Sequence, residues 1–399
     1  MKAWLSFAVV LFLAGFSISL RGAEISVHSD FEGGSVDVLE IDAENQLLKI
    51  FPADHPGKGW RCWWYFRAEG LSPEKSLTLE VGPAPWATPD RAHLSDDGGK
   101  TWRHSGAGVR KDKNIIYTIP VTQSTMWFAW GPPFTPEDSK SLVDSIAANY
   151  EVATSFNLAT TREDRPTPAL KITAPGDALN RKVIWFQARQ HAWESGSSWV
   201  AKGLADFLVS DVPAAVQLRE KAEIYLVPIM DIDNTVRGAG GKNQKPQDHN
   251  RDWSEAPHWH AVAAAQNYIK KADEEGRFAL FVDLHNPAAG DRFPYYYIPS
   301  RDEMSEVGRG NLNRFLALSK LQINGPLRYM GRATESGSKY DPKNWTRISK
   351  NWVIAHTADE AVAATLETSW NTPASTIENY ETVGRQLGQT ASIYLLENQ

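Results

Sequence analysis

Residues 181–210 read RKVIWFQARQHAWESGSSWVAKGLADFLVS, and this stretch predicts a strand, a polar turn and a helix in that order. The apolar run at 183–186 is typical of a strand that is buried on both faces of a sheet. Apolar side chains then recur at helical spacing between residues 200 and 208, which indicates a helix over 198–210 with one apolar face. This order of elements is typical of a sheet that is covered by helices.

The turn between these two elements carries His191 and Glu194, an imidazole and a carboxylate three residues apart. Two such side chains in one turn can bind one metal ion from the same side, and zinc accepts nitrogen and oxygen ligands of this kind. A catalytic zinc site needs a third protein ligand and one open position. Because α/β proteins place their chemistry just past the carboxyl ends of parallel strands, we expect the third ligand at another strand end.

The pattern of the whole chain predicts an α/β fold that follows a β-rich region. From residue 168 onward, strands and helices alternate, which indicates a mainly parallel sheet with helices on both faces. Its predicted strands are 169–173, 182–188, 222–230, 277–284 and 361–367, and its clearest helices are 198–210, 258–273, 302–319 and 376–396. Short alternating runs separated by Gly, Pro and Asp before residue 150 are typical of an antiparallel β-sandwich. We therefore expect a signal peptide at 1–23, a β-sandwich domain at 24–150 and a catalytic domain at 151–399.

The composition and the N-terminal residues limit the possible partners. The chain has 399 residues, and its formal net charge of −6 argues against a broad nucleic-acid-binding surface. Residues 1–23 resemble a secretory signal, with Lys2 before an apolar stretch that is too short for a comfortable membrane span. Cys62 is the single cysteine, so no disulfide can form within the chain. We expect a secreted or periplasmic protein with no stable membrane insertion after signal cleavage.

Polar clusters also follow the other predicted strands of the sheet. His285 ends the run at 278–285, and Glu367 ends the run at 361–367. A third strand is followed by a segment with several candidate ligands and cations, namely Asp231, Asp233, Asn234, Arg237, Lys242, Asn250 and Arg251. The ends of parallel strands share one edge of the sheet, so these side chains can converge although they are distant in sequence.

Together these side chains form the inventory of a hydrolytic zinc site. Two imidazoles and a carboxylate can bind zinc, which lowers the pKa of a bound water and polarises a scissile carbonyl. A spare carboxylate can take the proton of that water and deliver it to the leaving amine. An arginine nearby can pair with a substrate carboxylate through two hydrogen bonds.

The motifs of the chain, taken in order, resemble those of the zinc metallocarboxypeptidases, and specifically the cytosolic-carboxypeptidase branch that includes tubulin deglutamylases. That branch has His-Pro-Gly-Glu in its zinc motif, where this chain has His191-Ala-Trp-Glu194. Its other motifs have counterparts in Ser198-Trp-Val-Ala-Lys-Gly203, Asp248-His-Asn-Arg-Asp-Trp253, Asp283-Leu-His285, Glu367-Thr-Ser369 and Phe128-Ala-Trp-Gly-Pro-Pro-Phe-Thr135. The resemblance covers nearly the whole mature chain and implies a carboxypeptidase-like sheet preceded by a β-sandwich.

The resemblance implies a role for each residue that matches the zinc motif and the last strand end. His191, Glu194 and His285 would hold one zinc ion per chain. Glu367 would act first as the general base and then as the general acid. Residues 192–193 replace the Pro-Gly of the family, and we expect this change to reshape the wall of the pocket.

On the substrate side, the resemblance implies that Asn250 and Arg251 bind the terminal carboxylate of a peptide or protein. The arginine that stabilises the oxyanion in the family either corresponds to Arg237 or is replaced by Lys242, and both remain candidates. The mobile tyrosine of the family also has several candidates, which are Tyr296, Tyr340 and Tyr380.

The chain is therefore predicted to be a secreted zinc metallocarboxypeptidase that hydrolyses C-terminal residues of peptides or proteins. The cations of the strand-end loops, with Arg292 as a further candidate, predict a preference for an acidic C-terminal residue. A zinc amidase or deacylase on the same scaffold is one alternative, since residues 231–234 depart from the family pattern. A glycan-binding or glycosidase protein is another, which rests on one Asp-box match at 95–102 and on the tryptophan-rich first half.

Overall fold

Ten short strands form the first region of the chain in the computed structural model, which describes residues 24–83, 88–176, 179–336 and 345–396. They are β1 (Ser26–His28), β2 (Asp37–Asp42), β3 (Leu47–Phe51), β4 (Tyr65–Glu69), β5 (Ser76–Val81), β6 (His93–Ser95), β7 (Arg103–His104), β8 (Val109–Lys111), β9 (Asn114–Pro120) and β10 (Thr125–Ala129). The predicted signal peptide lies outside the described residues, and the secreted or periplasmic location stays a prediction.

These strands form two five-stranded sheets with a shared core. One sheet has the order β1-β4-β10-β6-β7, and the other has the order β2-β3-β5-β9-β8. Alternate side chains of β3, β5 and β9 are buried, and they pack with buried side chains of β4 and β10 in one hydrophobic cluster. The predicted β-sandwich is thus present. Its described strand pairs are antiparallel except for β3 with β5, which are parallel.

The Asp-box sequence at 95–102 forms the hairpin between β6 and β7. Oδ1 of Asp97 accepts a hydrogen bond from the backbone N–H of Lys100 at 3.0 Å. The ring of Trp102 packs edge-on against Tyr65, with 5.6 Å between the ring centroids. These contacts show that the Asp-box residues form a β-hairpin of the sandwich.

An eight-stranded sheet carries the predicted α/β fold. Its strands are β11 (Ala153–Thr160), β12 (Pro166–Ile172), β13 (Lys182–Ala188), β14 (Ala222–Val227), β15 (Phe278–His285), β16 (Tyr295–Ile298), β17 (Ala333–Glu335) and β18 (Val362–Glu367). The order is β11-β12-β14-β13-β15-β18-β16-β17, and the central strands β14, β13, β15 and β18 run parallel. The sequence pattern predicts five of these strands and misses β11, β16 and β17, which lie toward the two edges.

Helices cover both faces of this sheet. Within the described residues they are α1 (Pro136–Asn149), α2 (Ser195–Val209), α3 (Pro213–Lys221), α4 (Ile232–Arg237), α5 (His260–Glu274), α6 (Glu306–Gln322), α7 (Ser349–His356) and α8 (Ile377–Leu396). Ile184 and Phe186 of β13 pack in the same hydrophobic cluster as α2, α6 and α8, whereas Val183 and Trp185 pack with α5 and α7. The prediction of a mixed α/β sheet with helices on both faces is confirmed.

Helix α1 lies where the chain passes from the first region to the large sheet. Its N-terminus has a capping box, in which Thr135 and Asp138 each accept a hydrogen bond from the backbone N–H of the other. Val143 and Ile146 are buried in the hydrophobic cluster of the large sheet. The division of the chain at residue 150 stays a prediction. None of the helices in the described ranges has both the length and the apolar character that a membrane crossing requires.

Candidate active site

Three metal-binding side chains meet at the carboxyl ends of β13 and β15. Nδ1 of His191 lies 2.8 Å from Oε1 of Glu194, and Nδ1 of His285 lies 2.7 Å from Oε2 of the same carboxylate. All three residues are buried, and their ligand atoms lie within 4.8 Å of one another. Within the described residues, this is the one group of three or more His, Cys, Asp or Glu side chains that could hold a metal ion. The structure therefore brings together the three ligands that the sequence predicted.

The parallel strands explain this convergence. β13 and β15 are neighbours, and β15 pairs with β18 so that His285 lies opposite Glu367. The turn after β13 holds His191 at the same edge of the sheet, and α2 then begins at Ser195. Glu194 is the residue before the first helical position, so α2 begins three residues earlier than predicted and carries the metal turn at its N-terminus.

The donor atoms also fit zinc by their chemistry. Two imidazoles and a carboxylate are a common ligand set for catalytic zinc. Nε2 of His285 lies 2.9 Å from Oδ2 of Asp283, and Nε2 of His191 faces Oδ1 of Asp248 at 3.5 Å. Such carboxylates orient an imidazole so that its other nitrogen faces the metal. Burial alone would raise the pKa of Glu194, but the two imidazoles lower it below its usual range, so the charged form that binds a metal is favoured.

A cavity of about 410 Å³ opens at these ligands. Most of its wall comes from the turns and strand ends of the large sheet, and one side chain, Trp60, comes from the first region. Besides the three metal-binding residues, the side chains that matter below are Trp60, Trp193, Lys242, Asn250, Arg251, Tyr295, Tyr297, Ser336, Lys350 and Glu367.

Glu367 ends β18 at the wall of this cavity. Burial raises its pKa above the usual range, His285 and Lys242 oppose this rise, and the charge of Glu194 adds to it. Oε2 of Glu367 has no hydrogen-bond partner among the described residues. A carboxylate in this environment can take up and release a proton close to neutral pH, which is the property expected of a general base and acid.

Asn250 and Arg251 reach the same cavity from the short 3₁₀ turn His249–Arg251. Oδ1 of Asn250 accepts a hydrogen bond from the N–H of Ser349 at 3.0 Å, and its Nδ2 lies 3.4 Å from Nε2 of His285. Nη1 of Arg251 donates to the carbonyl oxygen of Asn250 at 2.9 Å. The amide of Asn250 and the guanidinium of Arg251 therefore lie beside the metal ligands, as the sequence predicted.

The structure corrects the prediction that Arg237 binds substrate. Its guanidinium pairs with Oε2 of Glu163 at 2.6 Å and does not line the cavity, because α4 ends with this residue directed toward Glu163. Of the two candidates for the oxyanion, Lys242 is the one that lines the cavity. Arg292 also lies outside the cavity and pairs with Asp90 at 3.0 Å.

Comparison with known proteins shows similarity to one family of enzymes. Residues 140–267 match the zinc carboxypeptidase family, and this segment contains His191, Glu194, Asn250 and Arg251. This part of the chain is similar to the zinc carboxypeptidases. Human cytosolic carboxypeptidase 2 is 25% identical over 310 residues, which cover 67% of this chain and 34% of that protein. An uncharacterized protein of Zymomonas mobilis is 26% identical over 276 residues, which cover 66% of this chain and 68% of that protein.

The chain thus spans about a third of the length of the human relative. Among solved structures, a metallo-carboxypeptidase from Burkholderia cenocepacia superposes with a TM-score of 0.81 at 20% identity, over 94% of this chain and 100% of that chain. A metallo-carboxypeptidase from Pseudomonas aeruginosa, in complex with (2-guanidinoethylmercapto)succinic acid, gives a TM-score of 0.79 at 20% identity, over the same shares of the two chains. These likenesses show that the carboxypeptidase fold extends over nearly the whole chain.

The cavity contains a buried lysine that the sequence did not reveal. Lys350, in the first turn of α7, is 1% exposed and lines the cavity. Its ammonium donates a hydrogen bond to Oγ of Ser336 and lies 5.9 Å from the centroid of the Tyr297 ring. Burial lowers the pKa of Lys350 to about 7, and the positive charge of Arg251 adds to this effect. Lys350 is therefore the third basic side chain of the cavity, with Lys242 and Arg251.

Two tyrosines of β16 face this cavity. Tyr295 and Tyr297 line it, whereas Tyr296 between them is buried in the core on the other face of the sheet, as the alternation of a strand requires. Tyr380, the second candidate for the mobile tyrosine, is also buried in the core. Tyr340, the third candidate, lies outside the described residues.

The turn that carries His191 and Glu194 is anchored on the first region of the chain. The ring of Trp193 lines the cavity and packs edge-on against Trp130, with 5.0 Å between the ring centroids. Arg189 has a φ of 63° and donates hydrogen bonds to the carbonyl oxygens of Ala192 at 2.7 Å and of Phe134 at 2.6 Å. The residues that replace the Pro-Gly of the family thus form part of the pocket wall and a contact with the first region.

Proposed function

We propose that the chain is a zinc-dependent metallocarboxypeptidase that removes C-terminal residues from peptides or proteins and prefers an acidic residue. The observation that carries this proposal is the single cavity that joins the metal-binding group, Glu367 and Arg251. Hydrolysis of a terminal peptide bond needs a metal group, a carboxylate that transfers protons and a cation that binds the terminal carboxylate. The match to the zinc carboxypeptidase family supports the same reaction.

Glu367 carries out the proton transfers in this proposal. Zinc held by His191, Glu194 and His285 would polarise the scissile carbonyl and lower the pKa of a bound water. The carboxylate of Glu367 takes the proton of the attacking water and then gives it to the leaving amine. Burial favours the protonated form of Glu367, and this is the form that gives the proton to the leaving amine.

Three polar side chains would orient the substrate. The guanidinium of Arg251 pairs with the terminal carboxylate, and the adjacent amide of Asn250 contributes a hydrogen bond. Lys242 places a positive charge close enough to Glu367 to oppose the rise in its pKa. A cation at this point stabilises the negative charge that develops on the carbonyl oxygen in the transition state.

Lys350 supports the preference for an acidic residue. A buried ammonium costs free energy unless an anion pairs with it, and the side-chain carboxylate of a substrate residue would provide that anion. Two of the four cations that suggested the preference, Arg237 and Arg292, pair with carboxylates of the chain outside the cavity. The acidic preference therefore depends on Lys350, with Arg251 reserved for the terminal carboxylate.

A metal assay followed by a peptide screen tests the proposal. The purified protein should contain about one zinc per chain, because one group of three ligands is present in the described residues. Peptides that end in Glu, Phe and Lys should be trimmed in this order of kcat/KM, and the same peptides with C-terminal amides should resist cleavage. Equal cleavage of the amides would contradict an exopeptidase and favour the amidase or deacylase alternative. A preference for Phe or Lys would leave the exopeptidase in place and rule out the acidic pocket.

A further inference from the structure

A segment of the first region pairs with the loop that carries Lys242. The backbone N–H of Trp60 donates to the carbonyl oxygen of Lys242 at 2.9 Å, and the N–H of Gly241 donates to the carbonyl oxygen of Lys58 at 2.8 Å. A further bond of 2.8 Å joins the N–H of Lys245 to the carbonyl oxygen of Gly57. Three backbone hydrogen bonds therefore fix this loop against the first region.

The close approach depends on two glycines. Gly59 has a φ of +96°, and a Cβ at this position would lie 2.6 Å from the carbonyl oxygen of Lys242. A Cβ at Gly240 would collide with the carbonyl oxygen of Trp60. Both segments therefore have the residue type that permits backbone contact.

The side chains of the two segments also meet at the cavity. Nζ of Lys242 lies 5.3 Å from the centroid of the Trp60 ring, within the range of a cation–π interaction, and both side chains line the cavity. The charge of Lys242 acts on the carboxyl groups of Glu367 and Asp248, which places this ammonium beside the reacting groups. An indole face beside the lysine restricts where its ammonium can lie.

We propose that Trp60 is a positioning residue for Lys242, and that the first region of the chain thereby completes the active site. The inference rests on the proposed function for the role of Lys242, but the contact itself can be tested without turnover. The competing explanation is that Trp60 only packs against Trp193, whose ring lies 6.3 Å away between centroids.

The first test measures the reactivity of Lys242 directly. The intact protein is treated with a limiting amount of an amine-acylating reagent, and the acylation of Lys242 is measured by peptide mass spectrometry against Lys245 in the same loop. Trp60→Leu should raise the ratio of Lys242 to Lys245 acylation by roughly 2- to 5-fold, because the ammonium loses a cation–π partner and a shield. Trp60→Phe keeps an aromatic face and should give a smaller change.

A matched control is available in the same region. Trp127 also has a cation over its ring, since Cζ of Arg67 lies 5.6 Å from the ring centroid, and it does not line the cavity. Trp127→Leu should leave the acylation ratio unchanged. An unchanged ratio in Trp60→Leu, or an equal rise in Trp127→Leu, would overturn the proposal whether or not the protein cleaves peptides.

The second test is a double-mutant cycle on peptide cleavage. Trp60→Leu should lower kcat by roughly 2- to 5-fold with little change in KM, because the oxyanion contact is made in the transition state. In a Lys242→Met background, the same substitution should cause no further loss. An equal loss in both backgrounds would assign Trp60 a merely structural role. Absence of cleavage by the wild-type protein would refute the proposed function, and the acylation ratio would still decide the contact.

Discussion

Replacing Lys350 by Met tests the acidic pocket at the residue that defines it. The substitution keeps the length of the side chain and removes its charge, and it also removes the hydrogen bond to Oγ of Ser336. The variant should retain zinc, because Lys350 is not one of the three residues of the metal-binding group. The substitution should therefore change the substrate preference of the protein and not its metal content.

The size of this effect follows from the hydrogen bond between the ammonium of Lys350 and the side-chain carboxylate of the substrate, which Met cannot make. A hydrogen bond to a charged group contributes about 1.5–3 kcal/mol, and each 1.4 kcal/mol corresponds to a factor of about 10. The ratio of kcat/KM for peptides that end in Glu and in Gln should fall by about 10- to 150-fold in Lys350→Met. Glu and Gln have nearly the same shape, so this ratio isolates the charge of the substrate side chain.

The pH dependence supplies a second measurement. Burial lowers the pKa of Lys350 to about 7, so the ammonium is charged below this pH and neutral above it. In the wild-type protein, the ratio of kcat/KM for Glu over Gln should therefore fall as the pH rises through about 7. In Lys350→Met the ratio should be low and should show no such step.

The pH dependence of the free energy of unfolding should also depend on Lys350. The folded-state pKa of Lys350 lies below that of an unfolded lysine, so the unfolded chain binds more protons between pH 7 and about 10.4, and this lysine destabilises the fold most below pH 7. The penalty is on the order of 4 kcal/mol and shrinks as the pH rises through this window. The gain in free energy of unfolding of Lys350→Met over the wild type should thus be larger at pH 6 than at pH 9.

A matched control separates the effect of Lys350 from that of any other lost lysine. Lys245 is exposed and does not line the cavity, so Lys245→Met serves as the matched control and should behave as the wild type. If Lys350→Met retains the wild-type ratio for Glu over Gln at pH 6, the buried ammonium does not contact the substrate. The acidic preference would then lose its structural basis.

Three further predictions concern residues whose positions the structure shows. His285→Ala removes one of three metal ligands, so the dialysed variant should lose most of its zinc, and full occupancy by elemental analysis would assign the third ligand elsewhere. Glu367→Gln should keep the fold and the zinc but lower kcat by about 10²- to 10⁴-fold, since the proton carrier is lost. A zinc-loaded variant with nearly wild-type kcat would give the proton transfers to another group. Arg237→Ala should leave kcat/KM close to the wild-type value and reduce the free energy of unfolding by about 1 kcal/mol or less, because it breaks a half-exposed pair with Glu163. A large rise in KM would restore Arg237 as a substrate-binding residue.

The sequence predicted the metal-binding group because the direction and order of the strands determine which side chains meet at the edge of the sheet. His285 and Glu367 each end an apolar run, and the carboxyl ends of parallel strands meet at one edge of a sheet. His191 and Glu194 follow a third strand in the same set. Strand periodicity and strand ends were therefore sufficient to place these four residues together.

The loop cations were less predictable because a loop has no period that fixes where its side chains point. Arg237 and Lys242 are five residues apart in the sequence, yet α4 directs Arg237 to Glu163, while the segment beyond α4 carries Lys242 to the cavity. That separation depends on the packing of the loop against the first region, which no local pattern encodes. Lys350 was missed for a related reason, since polar residues flank it and give its segment the appearance of a surface turn.

Residues 192–193 replace the Pro-Gly of the family, and the effect of this change is seen only in the packing of Trp193 against the first region. Trp193 belongs to the same hydrophobic cluster as Trp64 and Phe128, which form the core of the first region. Burial of a tryptophan removes about 150–250 Å² from water, worth on the order of 4–6 kcal/mol at about 25 cal/mol per Å², so this ring ties the metal turn to that core. Trp60, whose ring centroid lies 6.3 Å from that of Trp193, makes a second connection to the first region through Lys242. Because Trp193 and Lys242, which both line the cavity, contact the first region, we infer that this region shapes the active site.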